Sequence, residues 1–173
     1  MERKLSPLET IVNKRFWSKK NVLITGHTGF KGTWLTLILS QLGSNLLGFS
    51  LKPDNGKLLF NSIESHLLTD IKIKSVYGDI LDRSQLSQVI GDFKPDIIFH
   101  FAAKSLVKCS YDDPNDTWNT NEIGTLSLLE AVNKTEKKCT VVIATTDKVY
   151  KNLELGMPFN EFDELGGHDP YSA

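Results

Sequence analysis

Short apolar runs alternate with helical patterns along most of this chain. The first run, Asn21–Thr25, is rich in Val, Leu and Ile and stops at Gly26, which is typical of a strand buried on both faces. The stretch Thr33–Leu42 is almost entirely apolar and is followed by Gly43, as a helix with a glycine C-cap would be. The pattern therefore predicts a strand, a glycine turn and a helix.

The same alternation continues to residue 145. Further strands are predicted at Asn45–Ser50, Ile71–Tyr77, Asp96–Phe101 and Thr140–Thr145. The intervening helices are predicted near Leu58–Ser65, over Ser84–Gly91 with Asp82 as N-cap, and over Pro114–Asn133. Residues Leu153–Ala173 are predicted to form loops. Because parallel strands need crossovers over the faces of a sheet, we expect one α/β domain over residues 1–173, a doubly wound parallel sheet of the Rossmann type.

Composition and charge narrow the class of ligand. The 20 basic and 21 acidic residues are interspersed and give a net charge of −1, so there is no basic surface for nucleic acid or an anionic membrane. Cys109 and Cys139 lie far apart without a metal-binding spacing, which predicts neither a zinc site nor a disulfide. No apolar run approaches the roughly 18 residues of a membrane span. We expect a reduced cytoplasmic protein that binds a small molecule and no metal.

The strongest chemical signal is the glycine-rich segment between the first strand and the first helix. In it, Gly26 permits a tight turn, Gly29 lets a pyrophosphate approach the backbone, and Gly32 lets the helix pack close to the strand. The N-terminus of the helix then offers free N–H groups to the phosphates. A glycine turn without a ligand is the alternative, and the flanking strand and helix argue against it.

Polar or small residues also follow three other strands, where an open α/β sheet binds its ligand. Asp79 could accept from an adenine amino group and Ile80 could pack on the ring, although a helix cap would also explain Asp79. Small side chains in Phe101-Ala102-Ala103 would let a flat dinucleotide lie on the backbone, or would serve packing alone. The segment from Thr145 to Lys148 could polarise a substrate oxygen and move protons, although an ordinary polar turn would look similar.

Five ordered segments together resemble the extended short-chain dehydrogenase/reductase family. They are Thr25–Gly32 (TGHTGFKG), His100–Val107 (HFAAKSLV), Asn121–Thr125 (NEIGT), Thr146–Tyr150 (TDKVY) and Glu161–Ser172 (EFDELGGHDPYS). Within that family, the first, fourth and last of them are most similar to the branch that dehydrates CDP-glucose. The resemblance implies NAD as cofactor and a nucleotide sugar as substrate. Hydride leaves sugar C4, water is lost across C5 and C6, and hydride returns to C6.

The resemblance also assigns roles to four residues. Tyr171 would deprotonate the C4 hydroxyl, Thr146 would hydrogen-bond that oxygen, and Asp147 would protonate the departing C6 oxygen. Lys148 stands where related dehydratases carry a glutamate that removes the C5 proton. A lysine could do this only as a neutral amine or through a water molecule.

Cofactor contacts of the family are carried over by position. They fall on Gly26, Gly29, Phe30, Gly32, Asp79, Ile80, Phe101, Ala102, Ala103, Ser105, Thr120 and Thr145. One departure concerns the end of the second strand, where NAD-specific relatives commonly place an acid on the adenosine ribose. Ser50-Leu51-Lys52 stands there instead, so this segment leaves the choice between NAD and NADP open.

Members of the family continue beyond the tyrosine with a lysine four residues later and a C-terminal part that holds the nucleotide sugar. We therefore expect this chain to be a fragment without activity of its own, with an exposed edge beyond the fifth strand, from a protein that is a homo-oligomer at full length. Two alternatives remain open. One is an epimerase of the same family, and the other is a non-catalytic dinucleotide-binding module.

Overall fold

The computed structural model describes residues 13–53, 59–61, 73–154 and 156–173. Its strands are β1 (Asn21–Thr25), β2 (Asn45–Ser50), β3 (Ile73–Tyr77), β4 (Ile97–His100) and β5 (Thr140–Ile143). Its α-helices are α1 (Lys14–Trp17), α2 (Phe30–Gln41), α3 (Arg83–Phe93), α4 (Val107–Asp112), α5 (Pro114–Trp118) and α6 (Gly124–Asn133). A π-helical turn covers Asn119–Ile123 and a 3-10 turn covers Asp147–Val149. No helix in these described ranges is long and apolar enough to cross a bilayer.

The described strands form one parallel sheet in the order β3-β2-β1-β4-β5. The chain builds outward from β1 to β3, and then crosses back to place β4 on the other side of β1. The carboxyl ends of β1 and β4 therefore flank the point where the strand order reverses, which is where such sheets bind ligands. The predicted doubly wound α/β class is confirmed.

The core lies on both faces of β1. Leu23 points into a cluster with Phe49 and Ile98, whereas Val22 and Ile24 point into a second cluster on the opposite face. All three β1 side chains are fully buried. A central strand covered on both faces has no polar side to present, which explains the uninterrupted apolar run in its sequence.

Several predicted boundaries were wrong by a few residues. Helix α2 starts at Phe30 rather than Thr33, because Gly29 in an extended conformation is its N-cap. Helix α3 runs through Gly91 to Phe93 and stops at Lys94, which adopts a left-handed conformation with φ of 49°. Asp82 is its N-cap, as predicted: one carboxylate oxygen accepts from the N–H groups of Ser84 and Gln85.

The region between β4 and β5 differs most from expectation. Helix α4 was not predicted, and the single helix expected over Pro114–Asn133 is divided into α5, a π turn and α6. The extra residue of a π turn shifts the side chains that precede it relative to those that follow, and π turns are frequent at functional sites.

The remaining differences are small. β4 and β5 are shorter than predicted at their ends, and β5 is an edge strand on which Val142 is 42% exposed. β3 is described from Ile73 onward, and of the helix predicted near Leu58–Ser65 only residues 59–61 are described, in helical conformation. The other predicted residues of these two elements lie outside the described residues.

Candidate active site

Two glycines of the turn after β1 are required by close packing. Gly26 has a φ of +70°, and a Cβ there would lie 2.7 Å from the backbone of Phe101 and Ala102. A Cβ on Gly32 would lie 2.6 Å from the Cα of His27. Any larger residue at either position would push the start of α2 or the end of β4 away from β1.

The third glycine leaves the N-terminus of α2 open. A Cβ on Gly29 would meet nothing closer than the Gly26 carbonyl oxygen, at 3.3 Å. No side chain caps α2, and its first turn contains no acidic residue. The uncapped N–H groups and the positive end of the helix dipole suit a pyrophosphate. The turn therefore fits the dinucleotide that the sequence implies.

A buried chain of hydrogen bonds joins β1, β4 and the π turn. Thr25 Oγ1 accepts from the N–H groups of Phe101 (3.2 Å) and Ala102 (3.3 Å), so its own proton points to His100 Nδ1, 2.6 Å away. His100 Nε2 then donates to Thr125 Oγ1 (3.0 Å), whose hydroxyl donates to the Asn121 carbonyl (2.6 Å). The network assigns a neutral imidazole with its proton on Nε2. Burial lowers the pKa of His100 to about 4, which agrees with this assignment.

The π turn is also tied to the loop after β4. The side chain of Asn121 accepts from the backbone N–H of Lys104 (2.8 Å) and donates to its carbonyl oxygen (3.0 Å). Two bonds from one amide fix the loop that follows Ala102 and Ala103. The segment from Phe101 to Lys104, on which a dinucleotide would lie, is thus fixed at its start by Thr25 and at its end by Asn121.

A first cavity of about 280 Å³ extends from the glycine turn toward β3. Its walls include these predicted residues: Gly26, Gly29, Asp79, Ile80, Phe101, Ala102, Ala103 and Thr120. Asp79 accepts from the N–H of Leu81 (2.9 Å) and so closes a turn before α3. The alternative that Asp79 is a helix cap is wrong, because the N-cap of α3 is Asp82.

The same cavity is lined by residues that sequence reasoning did not assign to the site. They are Thr28, Phe49, Ser50, Leu51, Gly78, Lys104 and Asp116. Lys104 and Asp116 form an ion pair of 2.6 Å, and the hydrogen bond to Asp116 raises the pKa of Lys104. Nothing in the sequence signals this pair, because the two residues are brought together only by α4 and α5.

A second cavity, of about 360 Å³, follows α2 and shares Gly26, Gly29, Phe101 and Ala103 with the first. It adds the predicted residues Phe30, Gly32, Ser105, Thr145 and Tyr171. A third, of about 310 Å³, contains Thr145, Thr146 and Tyr171 together with His100, Asn121, Glu122 and Thr125. The shared walls make one continuous cleft from Asp79 to Tyr171.

Two predicted residues lie outside the linings of these three cavities. Asp147 and Lys148 are exposed and belong to the 3-10 turn after β5. Thr146 Oγ1 accepts from the N–H of Lys148 (3.2 Å) and lies 3.4 Å from an Asp147 carboxylate oxygen. The structure therefore brings Thr146 and Tyr171 into one cavity and leaves Asp147 and Lys148 at its rim.

Tyr171 is positioned by the residue two places before it. Asp169 Oδ1 accepts from the N–H groups of Tyr171 (3.0 Å) and Ser172 (3.1 Å), and Oδ2 accepts from the Ser172 hydroxyl (2.7 Å). These bonds hold the pKa of Asp169 below its usual value. In the described residues, no group of three His, Cys, Asp or Glu side chains could hold a metal ion.

Comparisons with known proteins identify relatives of this arrangement. The family model described as GDP-mannose 4,6 dehydratase matches residues 23–173. CDP-glucose 4,6-dehydratase from Salmonella typhimurium is 42% identical over 162 residues, which are 94% of this chain and 44% of that protein. GDP-mannose 4,6-dehydratase from Vibrio cholerae is 32% identical over 164 residues, 90% of this chain and 43% of that protein. This chain spans less than half the length of both relatives.

Solved structures agree in fold. Epimerase Mth375 from Methanothermobacter thermautotrophicus superposes with a TM-score of 0.77 at 27% identity, over 96% of this chain and 48% of that one. UDP-glucose 4-epimerase from Bifidobacterium longum, solved in complex with NAD⁺ and UDP, gives a TM-score of 0.72 at 26% identity, over 87% of this chain and 44% of that one. Together with the glycine turn and the cleft at the strand-order reversal, these matches show that the chain belongs to the GDP-mannose 4,6 dehydratase family.

Proposed function

We propose that this chain is the cofactor-binding part of an NAD-dependent nucleotide-sugar 4,6-dehydratase that converts CDP-D-glucose to CDP-4-dehydro-6-deoxy-D-glucose. The observation that carries the proposal is the 42% identity to CDP-glucose 4,6-dehydratase over 94% of this chain. The reaction would take place in the cytoplasm and serve nucleotide-sugar and lipopolysaccharide biosynthesis. The full-length enzyme would be a homo-oligomer.

Cofactor binding rests on three parts of the cleft. The N–H groups at the start of α2 would receive the pyrophosphate, because no side chain caps them. The adenine would lie between Ile80 and the small residues Ala102 and Ala103, with Asp79 near its amino group. The nicotinamide would then reach the part of the cleft that contains Thr145 and Tyr171.

Proton transfer would fall to the residues around the far end of the cleft. Bound NAD supplies an acceptor for the C4 hydride and a donor for its return to C6. Tyr171 would take the proton of the C4 hydroxyl while Thr146 donates a hydrogen bond to the same oxygen. Asp147 would protonate the departing C6 oxygen from the rim. Lys148 would assist removal of the C5 proton, as a neutral amine or through a water molecule.

A 4-epimerase is the second candidate, and one observation favours it. UDP-glucose 4-epimerase from Mycoplasma genitalium is 33% identical over 133 residues, 77% of this chain. An epimerase would also use Thr146 and Tyr171, but it expels no water and has no need of an acid at Asp147. The two candidates therefore differ in the effect of changing Asp147.

The test separates cofactor binding from turnover. NAD⁺ affinity is measured on the 173-residue chain by titration calorimetry, and turnover of CDP-glucose, dTDP-glucose and GDP-mannose on the full-length gene product, by the alkaline absorbance of the 4-keto product. We expect micromolar NAD⁺ binding by the chain without turnover, and conversion of CDP-glucose alone by the full-length protein.

Variants of the predicted catalytic residues, each paired with a control variant, test the role of each residue. Tyr171→Phe should lower kcat by more than about 100-fold, within the range of general acid–base catalysis. Tyr150→Phe is the control, because Tyr150 stacks on Phe159 at 5.0 Å and lines none of the three cavities of the cleft. Asp147→Asn should abolish dehydration. Asp92→Asn is the control, because Asp92 is exposed on α3 and lines none of the three cavities of the cleft. If the Asp147→Asn variant still dehydrates the sugar, the role proposed for Asp147 is rejected. If the full-length protein epimerises the sugar without loss of water, it is the 4-epimerase.

A further inference from the structure

The imidazole of His100 connects two parts of the cleft. His100 lies at the end of β4, is 3% exposed, and hydrogen-bonds both Thr25 and Thr125. Thr25 is the last residue of β1, directly before the glycine turn. Thr125 is in α6 and lines the third cavity with His100, Thr146 and Tyr171. The ring therefore joins the strand that leads into the glycine turn to the cavity that contains two of the predicted catalytic residues.

The hydrogen bonds of this network fix where each proton lies. Thr25 Oγ1 accepts from two backbone N–H groups, which occupy both of its lone pairs, so it must donate its own proton to His100 Nδ1. A neutral imidazole then carries its proton on Nε2 and donates it to Thr125 Oγ1, 3.0 Å away. Thr125 in turn donates to the Asn121 carbonyl oxygen, 2.6 Å away. All of these protons point the same way, from β1 toward the π turn.

The opposite tautomer of His100 would disturb the segment on which a dinucleotide would lie. With its proton on Nδ1, the ring would become a third donor to Thr25 Oγ1, which has two lone pairs. The N–H of Phe101 or of Ala102 would then lose its acceptor, and an unpaired N–H in the interior is unfavourable. Because Thr125 offers an acceptor to Nε2, it favours the tautomer that leaves these N–H groups bonded to Thr25.

The network also returns to the same segment at its other end. Asn121, whose carbonyl oxygen receives the last proton, holds the N–H and the carbonyl oxygen of Lys104 with its side chain. One series of hydrogen bonds, which begins at Thr25, passes through His100 and ends at Asn121, therefore anchors both ends of the Phe101–Lys104 segment. Linked hydrogen bonds of this kind do not act independently of one another.

We propose that His100 and Thr125 are positioning residues: the proton on His100 Nε2 fixes the Phe101–Lys104 segment beneath the dinucleotide and couples that segment to the π turn. The two side chains act on NAD⁺ affinity through the segment. Thr25 and Thr125, at opposite sides of the ring, then affect NAD⁺ affinity jointly. This inference rests on the proposed function, because it requires a dinucleotide in the cleft.

The first test observes the tautomer. In the 173-residue chain with ¹⁵N-labelled histidine at pH 7, long-range ¹H–¹⁵N correlation spectra distinguish the protonated ring nitrogen from the unprotonated one. The loss of signals in His100→Gln assigns them to this residue. We expect the Nε2–H form in the parent chain and in Thr125→Ser, which keeps the hydroxyl. Thr125→Val keeps the shape but removes the acceptor, and should move the ring toward the Nδ1–H form.

Ser127→Ala is the matched control for Thr125→Val. Ser127 is also in α6, and its hydroxyl donates to the carbonyl oxygen of Ile123, four residues back, as the hydroxyl of Thr125 donates to that of Asn121. Among the described residues, no hydrogen bond joins Ser127 to His100. The substitution therefore removes the same kind of helix bond and should leave the tautomer and the NAD⁺ affinity unchanged.

The second test measures NAD⁺ dissociation constants of these variants by titration calorimetry, after circular dichroism has shown that they are folded. Thr125→Val should weaken NAD⁺ by about tenfold, the size expected for one hydrogen bond, and Thr25→Val by about tenfold or more. The double variant should bind no more weakly than Thr25→Val alone, because the tautomer has no effect on the segment once the Thr25 hydroxyl is absent. Independent effects would multiply instead.

Each outcome decides the inference. The Nδ1–H form in the parent chain overturns it, as does an unchanged tautomer or an unchanged NAD⁺ affinity in Thr125→Val, and the proposed function stays intact. Multiplied effects in the double variant, or an equal loss in Ser127→Ala, also overturn it. If Thr25→Val does not fold, the comparison of Thr125→Val with Thr125→Ser decides alone. Failure of the folded parent chain to bind NAD⁺ rejects the inference and the proposed function together.

Discussion

The two ends of the cleft are held in different ways. In the glycine-turn region, defined as residues 25–32 with the end of β4, polar side chains are buried and bonded to residues far away in sequence, as Thr25 is to His100. In the Thr146 region, defined as residues 145–154 and 156–173, the hydrogen bonds of Thr146 and Asp169 reach only neighbours in sequence. The glycine-turn region is therefore built into the core of the sheet, and the Thr146 region is attached to its edge.

This difference has a consequence for stability. The long-range hydrogen bonds in the glycine-turn region form only when β1, β2 and β4 are assembled. A substitution that breaks one of them should therefore lower the stability of the whole sheet. The short-range hydrogen bonds in the Thr146 region can break by local unfolding, while the rest of the molecule stays folded. The predictions below test whether the two regions respond as unequally as this implies.

The largest expected effect is acid destabilisation from two buried histidines of the glycine-turn region. Burial lowers the pKa of His27, against a smaller opposing effect of the Phe49 backbone, and the pKa of His100, each from 6.5 to about 4. The unfolded state takes up these protons first, so stability is complete above pH 6.5 and is lost as the pH falls toward 4. At about 1.4 kcal/mol for each pKa unit, the loss is about 3 kcal/mol per histidine.

Urea unfolding followed by circular dichroism at pH 7, 5.5 and 4.3 measures this loss. His100→Gln should remove about half of the pH dependence, because one of the two titrating groups is absent. Below pH 4 the carboxylates of Asp96 and Asp169, whose pKa values lie below their usual value, add a further loss. A free energy of unfolding that is constant between pH 7 and 4.3 would show that these histidines are not held neutral by the fold.

The second effect on stability is seen by comparing two glycines that have nearly the same positive φ. Gly26 and Gly156 have φ of +70° and +66°, so an alanine is strained by about 1 kcal/mol or more at either position. A Cβ at Gly26 also meets the backbone of Phe101 and Ala102 at 2.7 Å, whereas one at Gly156 meets nothing within 4 Å. We expect Gly26→Ala to cost about 3 kcal/mol or more and Gly156→Ala about 1 kcal/mol.

Thermal and urea unfolding of the two variants, with NAD⁺ titration, measure the contrast. Gly26→Ala should also abolish NAD⁺ binding, because the turn can accommodate the new methyl group only by moving away from β4. Gly156→Ala should bind as the parent chain does. Equal losses of stability in the two variants would mean that backbone strain alone, and not packing against β4, makes Gly26 necessary.

The contrast between the regions also explains which features were predictable. The strands were found because burial on both faces leaves an uninterrupted apolar run, as in β1, and the glycine turn was found because its tight packing restricts residue choice. Asp82 was identified as a helix cap because capping is a local interaction. Each of these signals lies within a few neighbouring residues.

The features that sequence reasoning missed depend on contacts between distant residues or on small shifts of geometry. The Lys104–Asp116 pair and the Thr28–Ser50 hydroxyl pair join segments that meet only in the folded chain. The π turn at Asn119–Ile123 falls inside a pattern that is helical throughout, since one added residue barely changes the periodicity. The roles of Thr146, Asp147, Lys148 and Tyr171 all stay predictions. Thr146 and Tyr171 line the same cavity, whereas Asp147 and Lys148 lie outside its lining.

The smallest expected effect on the free energy of unfolding comes from an ion pair in the Thr146 region. Lys151 pairs with Glu164 at 3.0 Å, where the two side chains are 41% and 70% exposed. Ion pairs with this exposure contribute little, because water and salt screen them and both side chains lose rotational freedom. We expect Lys151→Met to change the free energy of unfolding by less than about 0.5 kcal/mol.

A double-mutant cycle of Lys151→Met and Glu164→Gln isolates the pair from other effects of each substitution, with urea unfolding as the measurement. The bridge between Tyr150 and Leu165 flanks the pair and should hold the same loop without it. A coupling energy well above 1 kcal/mol would mean that this loop is docked as firmly as the glycine turn. In that case the Thr146 region would be pre-organised by this chain alone, and the contrast between the two regions would have to be given up.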